Sequence, residues 1–513
     1  MTANRTEQNW LDSVRTLLLS GQVASAQTTL THALAEFPVS ADLRRVQAGI
    51  LQRGGHPHAA EQVLRELLKQ NAGDAASAFA LAELLKNECR SGAAAAVIRE
   101  CFAGTQNSSD AELAIKAIEL LDGCGRKHDA LAVTQSAIAA NRDDPRLHAY
   151  AGMLAVQLGE FNNARKHYLF ALERDMRSVE WHVPLGLSNT LRYDNPDHPD
   201  LALFRQSLGR DGLSGVARAE LHFALGKASD DIGDYASAAQ HYREGNAIRK
   251  RTANWSRKAW RRAIEARLGI APNVAALSPT EEFTPIFVVG MPRSGTTLLA
   301  ELLSQDPQIC NCGELPMLAR LAQDAALAGT SNHAALRHAA ASYVREARQD
   351  GATEAHWFID KQPLNFRYVD LALAMFPDAK IIHCDRSERD VALSLWMQCF
   401  LEDVQGYSYN FDDIAMVMGD RSRLMAHWNQ RHARSITTIR YEELVSAPDQ
   451  ITEALAKWIG LPPRTRVIST PESKPSISTA SLWQARQPVY STSVGRWKHF
   501  AKQVPELLRF KAS

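Results

Sequence analysis

Residues 287–298 read FVVGMPRSGTTL. The apolar run Phe287-Val288-Val289 ends at Gly290, Gly295 follows five positions later, and Thr296 and Thr297 open the stretch TTLLAELLSQ. A β-branched run before the glycines and helix formers after them predict a strand, a loop and a helix. The loop then lies at the carboxyl end of a strand and the amino end of a helix. Free backbone N–H groups and the positive helix end make an anion site there. Gly290 and Gly295 let the backbone wrap closely. Ser294, Thr296 and Thr297 offer hydroxyl donors, and Arg293 adds a planar charged fork suited to phosphate oxygens. A loop that reaches the β- and γ-phosphates of a nucleoside triphosphate carries lysine directly after its second glycine. Here that place is Thr296, so the loop suits a single 5′-phosphate and speaks against a kinase or GTPase.

Downstream of about residue 284 the pattern of short β-branched runs alternating with helical stretches continues. Strands are expected at 285–289, 357–360, 379–383 and 436–441, with helices at about 296–305, 366–376, 387–400 and 449–459. Strand then helix, repeated, predicts a parallel α/β sheet. Residues 271–284 carry two prolines and few large apolar side chains and read as a linker.

Upstream, residues 1–270 are rich in Ala, Leu, Glu, Gln and Arg, with apolar residues at helical spacing. Gly21, Gly55 and Cys89 share one register of 34 residues, and Gly125 and Gly159, also 34 apart, lie two residues off it. Five positions after each mark stands Ala26, Ala60, Ala94, Ala130 or Ala164. Leu30, Leu64, Ile98 and Tyr168 follow, then Ala33, Leu67, Cys101, Ala137 and Ala171, and a further copy runs through Gly233, Ala238, Tyr242 and Gly245. A fixed period of this length predicts paired helices whose small residues allow close packing, each pair covering its neighbour's apolar face. The pattern resembles the tetratricopeptide repeat, most clearly at MLAVQLGEFNNARKHYLFALERD, residues 153–175. Segment 184–215, with Asn195, Pro196 and Pro199, breaks the register and reads as an irregular connection.

With 513 residues and a net charge of +1, the chain has material for two or more domains and no charge excess suited to nucleic acid or a membrane surface. No signal peptide or membrane span is apparent, and the seven scattered cysteines form no zinc pattern; a cytoplasmic, metal-independent protein is expected.

PRSGTTL after an apolar strand is similar to the 5′-phosphosulfate loop of sulfotransferases, which use 3′-phosphoadenosine 5′-phosphosulfate (PAPS). The resemblance implies a separate site for the donor's 3′-phosphate, and IIHCDRSERDVALS supplies Arg386 at a strand end and Ser394 eight residues on. It implies a donor-contacting lysine at the end of the second strand, Lys361 of WFIDKQPLNF. Cytosolic small-molecule sulfotransferases carry histidine two residues after that lysine; here Pro363 stands there. DPQICNCGELPML resembles instead the CGE segment of tyrosylprotein sulfotransferases, which implies Glu314 as general base. The same resemblance implies donor contacts for Ser481 and Arg496, and for Tyr441 of IRYEELV near the adenosine. Gln398 stands where those enzymes often place an arginine, and no membrane anchor like that of the Golgi enzymes is expected.

The combination resembles bacterial tetratricopeptide-repeat sulfotransferases. It implies an N-terminal repeat α-solenoid over 1–270, a linker over 271–284 and a P-loop-like parallel α/β sulfotransferase domain over 285–513. The donor-binding set is Arg293, Ser294, Gly295, Thr296, Thr297, Arg386, Ser394, Tyr441, Ser481 and Arg496, and the catalytic set is Glu314, Arg293 and Lys361. The expected acceptor is a protein or peptide tyrosine presented by the repeats. A glycan or small-metabolite acceptor, or a repeat scaffold with an inactive transferase domain, are the alternatives.

Overall fold

In the computed structural model the chain divides into two compact units, Met1–Leu147 and His148–Ser513. The structure describes residues 6–270, 276–279, 283–324, 327, 332–348, 355–400, 403–461 and 493–512.

The first unit holds the helix pairs α1 (Glu7–Leu19) with α2 (Val23–Glu36), α3 (Ala41–Arg53) with α4 (Pro57–Gln70), and α5 (Ala75–Asn87) with α6 (Ser91–Cys101). A one-turn helix, α7 (Thr105–Ser108), precedes the pair α8 (Ala111–Gly123) with α9 (Lys127–Ala140). Polar residues set the helix starts: Ser40, Asp74 and Asp110 each accept a hydrogen bond from a backbone N–H of the first turn. The 34-residue grid is a grid of turns. Gly21, Gly55 and Gly125 have φ of 76°, 79° and 75°, and Cys89, on the same grid, adopts 57°. A side chain in that left-handed region costs roughly 1–2 kcal/mol, so the turn is imposed on Cys89 by the helices it joins. Ala26, Ala60, Ala94 and Ala130 are fully buried, as the close packing of each pair requires. The two-residue slip between Cys89 and Gly125 falls where α7 is inserted.

The helix α10 (Pro145–Leu158) runs across the boundary of the two units, and in the second unit α11 (Phe161–Arg174), α12 (Val183–Ser188), α13 (Pro199–Leu208), α14 (Gly215–Ile232), α15 (Tyr235–Thr252) and α16 (Arg257–Leu268) precede the sheet. A Cβ on Gly152 would lie 2.6 Å from the Tyr168 ring, which explains why these helices admit only glycine there. The segment 184–215, expected to be irregular, carries α13 and the last residues of α12. Buried Asp200 ties it down, accepting from both terminal nitrogens of Arg165 (2.6 and 2.7 Å) and from the Tyr193 hydroxyl (2.9 Å).

Five parallel strands follow: β1 (Thr284–Gly290), β2 (Ile309–Asn311), β3 (Trp357–Asp360), β4 (Lys380–Asp385) and β5 (Ile436–Arg440). Their order is β2-β3-β1-β4-β5. From central β1 the chain goes out to edge β2, returns to β3, then crosses β1 to β4 and β5. The order therefore reverses around β1, and in open parallel sheets the crevice at such a switch point is where ligands bind. Along β1, Ile286 and Val288 join a core with Leu299, Leu303, Ile382 and Leu455. Phe287, on the opposite face, packs 5.9 Å from the Tyr343 ring.

The connecting helices are α17 (Thr296–Leu303), α18 (Met317–Leu321), α19 (His333–Ala347), α20 (Val369–Met375), α21 (Glu388–Trp396), α22 (Phe411–His432), α23 (Tyr441–Ser446), α24 (Pro448–Ile459) and α25 (Trp497–Phe500). The helix expected at 366–376 opens as a 3₁₀ turn over Pro363–Tyr368, where the Phe366 carbonyl accepts from the Trp428 indole (2.9 Å). The helix expected at 387–400 stops at Trp396, whose carbonyl is taken by Asn246 Nδ2 (2.8 Å).

Candidate active site

The loop after β1 carries its strain where the sequence places its functional groups. Arg293 has φ 74° and Gly295 has φ 96°. A Cβ on Gly295 would lie 2.4 Å from Tyr441 Cδ2, so glycine is required by both backbone and space. Ser294, Thr296 and Thr297 are buried, and Thr296 opens α17.

The loop after β4 closes on this one. Arg386 Nη1 donates to the Arg293 carbonyl (2.9 Å), and Arg293 Nε donates to Ser394 Oγ (2.9 Å). Tyr441, the first residue of α23, lies under Arg386, whose guanidinium carbon is 4.4 Å from the ring centroid. Arg386 Nη2 donates to the Ser493 carbonyl (2.6 Å), and the Tyr441 hydroxyl lies 2.7 Å from Ser493 Oγ. Arg293, Arg386, Ser394 and Tyr441 thus meet at the carboxyl ends of β1, β4 and β5. Among the described residues, Ser294 Oγ and Arg386 Nε are buried polar atoms without a protein partner. Such atoms are rare and costly, and here both are donors, so they suit an oxygen-rich anion.

A second pair forms on the other side of β1. The ladder between β2 and β3 extends past the strands, with Cys312 N donating to the Ile359 carbonyl (2.9 Å) and Lys361 N to the Gly313 carbonyl (2.8 Å). That zipper sets Glu314 beside Lys361, and Lys361 Nζ donates to Glu314 Oε1 at 2.6 Å. The Lys361 side chain is 6% exposed and Glu314's 31% exposed, so the lysine is a buried partner of the site rather than a solvated surface cation.

Asp360, the last residue of β3 and no part of the expected site, organises this pair. Its Oδ1 accepts from the backbone N–H groups of Leu315 (3.3 Å) and Gln362 (3.0 Å), and its Oδ2 from the Tyr343 hydroxyl (2.7 Å) and Asn365 Nδ2 (3.0 Å). Burial pushes its carboxyl up to about 7, although those hydrogen bonds pull the other way. The available signal was an acid ending the otherwise apolar WFID. His383 lies on β4, across β1 from this pair, and Arg421 Nη1 lies 3.2 Å from its Nε2 and 2.6 Å from Asp385 Oδ1. Burial first, and the Arg421 charge second, hold its imidazole down at about 4. A neutral histidine so engaged is poorly placed to serve as the base.

Of the remaining expected residues, Arg496 pairs with Asp230 of α14, and Ser481 lies outside the described residues. Ser493, which joins Arg386 and Tyr441, was invisible in sequence because nothing distinguishes it from neighbouring serines. Among the described residues no helix is long and apolar enough to cross a membrane, and no group of three or more side chains could hold a metal ion.

Comparison with known proteins bears on this geometry. Residues 285–465 match the model of the sulfotransferase family. An uncharacterized protein of Aquifex aeolicus is 29% identical over 317 residues, covering 57% of this chain and 41% of its own length. The nodulation protein NoeE of Sinorhizobium fredii is 29% identical over 259 residues, covering 41% of this chain and 59% of its own. The chain therefore spans less than two thirds of either relative. Among solved structures, the sulfotransferase domain of the Synechococcus PCC 7002 olefin synthase aligns at 19% identity and a TM-score of 0.31, covering 44% of this chain and 90% of that one. The MamA protein aligns at 17% identity and a TM-score of 0.27, covering 34% and 94%. The matched span holds the loop after β1 and all but the first residue of the five-stranded parallel sheet, so residues 285–465 are similar to the sulfotransferase family.

Proposed function

We propose that the chain transfers a sulfuryl group from PAPS to an acceptor hydroxyl, with 285–513 as the transferase domain, 271–284 as linker and 1–270 as the repeat domain. The observation that carries this reading is the convergence of Arg293, Arg386 and Ser394 through two hydrogen bonds of 2.9 Å, although more than ninety positions separate the first from the others. Arg293, Ser294, Gly295, Thr296 and Thr297 bind the 5′-phosphosulfate end. Arg386 and Ser394 bind the 3′-phosphate, with Tyr441 beneath Arg386. Ser294 Oγ and Arg386 Nε, unpartnered among the described residues, support this assignment. Ser481 and Arg496 complete the donor set on resemblance alone.

The donor, when bound, supplies the sulfuryl group and a bisphosphate leaving group. Glu314 takes the proton of the acceptor hydroxyl, a contribution of roughly 10²–10⁴-fold for a positioned base. Lys361 and Arg293 provide the cations that negative charge on the leaving oxygen calls for. The 2.6 Å contact between Lys361 and Glu314 keeps base and cation side by side. Asp360 holds both turns, so acceptor and donor groups share one rigid frame.

The acceptor we favour is a tyrosine hydroxyl of a protein or peptide presented by the repeats. The CGE segment at Glu314 and the repeats themselves support it. Incubating the protein with radiolabelled PAPS and a panel of tyrosine peptides, oligosaccharides and small alcohols tests this. Label in peptide tyrosine is expected; label confined to oligosaccharides or small alcohols refutes the tyrosine assignment. No transfer to any of them, together with an inability to bind donor product, refutes the enzyme.

A further inference from the structure

The helix pair α14/α15 is the last repeat copy before the sheet, and its turn reads Asp230-Asp231-Ile232-Gly233. The repeat pattern asks for small and apolar residues, and it has no use for two adjacent acids. Asp231 is accounted for locally: Lys227 Nζ lies 2.5 Å from its Oδ2, which also accepts from the Tyr193 backbone N–H (3.1 Å). Asp230 looks elsewhere. Its side chain is 6% exposed and is paired with the guanidinium of Arg496, 266 residues away. Two acids and two bases meet there; Asp230 is the buried partner and the Arg496 side chain is 37% exposed, so the pair matters most by fixing where Arg496 lies. Burial pushes the Asp230 carboxyl above its ordinary range, and Arg496 is the largest influence drawing it back.

Arg496 sits in a short segment with a second anchor. Asp390 of α21 accepts from the backbone N–H groups of Gly495 (2.8 Å) and Trp497 (3.0 Å) through its two oxygens. The same segment begins at Ser493, whose carbonyl receives Arg386 and whose hydroxyl meets Tyr441. The pair α14/α15 also braces α21, the helix that carries Ser394: buried Asn246 donates to the Trp396 carbonyl (2.8 Å), and the Tyr242 ring packs 5.7 Å from the Trp396 ring. One repeat therefore touches both elements that flank Arg386.

We propose that Asp230 is a positioning residue of the donor site: by holding Arg496 it fixes the Ser493–Trp497 segment against Arg386 and Tyr441, which makes the last repeat a wall of the 3′-phosphate pocket. This inference rests on the assignment of Arg386 and Ser394 to the donor's 3′-phosphate. It also gives the fusion of repeats to transferase a physical reason, since the donor pocket is incomplete without α14.

The test is calorimetric titration of the full chain with 3′-phosphoadenosine 5′-phosphate (PAP), in wild type, Asp230→Asn and Asp230→Glu. Asp230→Asn is expected to weaken PAP about tenfold or more, whereas Asp230→Glu, which keeps the charge for Arg496, stays within about threefold of wild type. A merely structural role would change thermal stability without this split in affinity. Hydrogen exchange of the wild-type protein gives a reading that needs no variant. PAP is expected to protect 493–500 together with the last turn of α14. Equal PAP affinity in wild type and Asp230→Asn, or protection confined to the loops after β1 and β4, overturns the proposal while leaving the donor site standing. Absence of PAP binding to wild type overturns both.

Discussion

Replacing Gly295 by alanine attacks the donor loop at one atom. The backbone there has φ 96°, and the new Cβ would stand 2.4 Å from Tyr441 Cδ2. Alanine in the left-handed region costs roughly 1–2 kcal/mol. The ring cannot stay where it is, because no side-chain carbon tolerates that separation from another. Moving Tyr441 breaks its hydroxyl contact with Ser493, about 1 kcal/mol, and its stacking with Arg386, about 0.5–1 kcal/mol. Together these amount to about 3 kcal/mol acting on the groups assigned to the donor, or about a hundredfold in affinity. The assay is titration of the purified variant with PAP. Gly21→Ala, also at positive φ but with nothing within 4 Å of the added carbon, is the comparison. It carries a backbone cost in the first unit and is expected to leave PAP affinity unchanged. If Gly295→Ala bound PAP within about threefold of wild type, the close coupling of this loop to Tyr441 and Arg386 would be refuted.

Other outcomes follow from the second half of the site. Glu314→Gln is expected to lower sulfuryl transfer by roughly 10²–10⁴-fold while PAP affinity stays near wild type; measured turnover near wild type would remove Glu314 as base. Lys361→Ala is expected to reduce turnover and also to free the Glu314 carboxylate from its 2.6 Å contact, so a parallel structure should show Glu314 displaced. Asp360, raised to about 7 when folded, binds its proton more tightly in the native than in the unfolded chain. Its contribution to stability is therefore fullest below the unfolded carboxyl range near 4 and is lost as pH rises through about 7, a change on the order of a few kcal/mol. Denaturation measured from pH 4 to 7 should show this downward slope in wild type and a flatter one in Asp360→Asn. Gly152→Val, which forces a side chain toward a ring 2.6 Å from its first carbon, should destabilise the protein by roughly 1–3 kcal/mol in chemical denaturation.

Much of the architecture could be read before any coordinates, for identifiable reasons. The repeats were legible because each turn demands a left-handed residue and each helix pair a small one, so geometry writes a period into the chain; Cys89 shows that the period survives even where glycine does not. The strands β1, β3 and β4 were legible because buried parallel strands are largely apolar runs, and β5, ITTIR, because it is rich in β-branched residues. β2 was missed, being three residues long and no more apolar than a loop. Within the site, Arg293, Arg386, Ser394, Glu314 and Lys361 stood in motifs with fixed spacing, and the structure brings them into two contacting groups. Asp360, Asp390 and Ser493 had no such motif. Their roles come from hydrogen bonds to groups mostly far away in sequence, backbone N–H groups for Asp360 and Asp390 and the Arg386 and Tyr441 side chains for Ser493, and these depend on how the chain is folded rather than on local pattern. Arg496 shows the converse: its motif was recognisable, but its partner, Asp230, lies in another part of the chain.

The account's central claim is that the loops after β1 and β4 form one site for an adenosine carrying separate 5′- and 3′-phosphates. Calorimetric titration of the wild-type protein with PAP beside ATP, both without Mg²⁺, tests it most directly. Tight binding of PAP with weak binding of ATP is predicted, since Thr296 stands where a triphosphate loop needs lysine. ATP binding as tight as PAP, or no PAP binding by a folded sample, would contradict it.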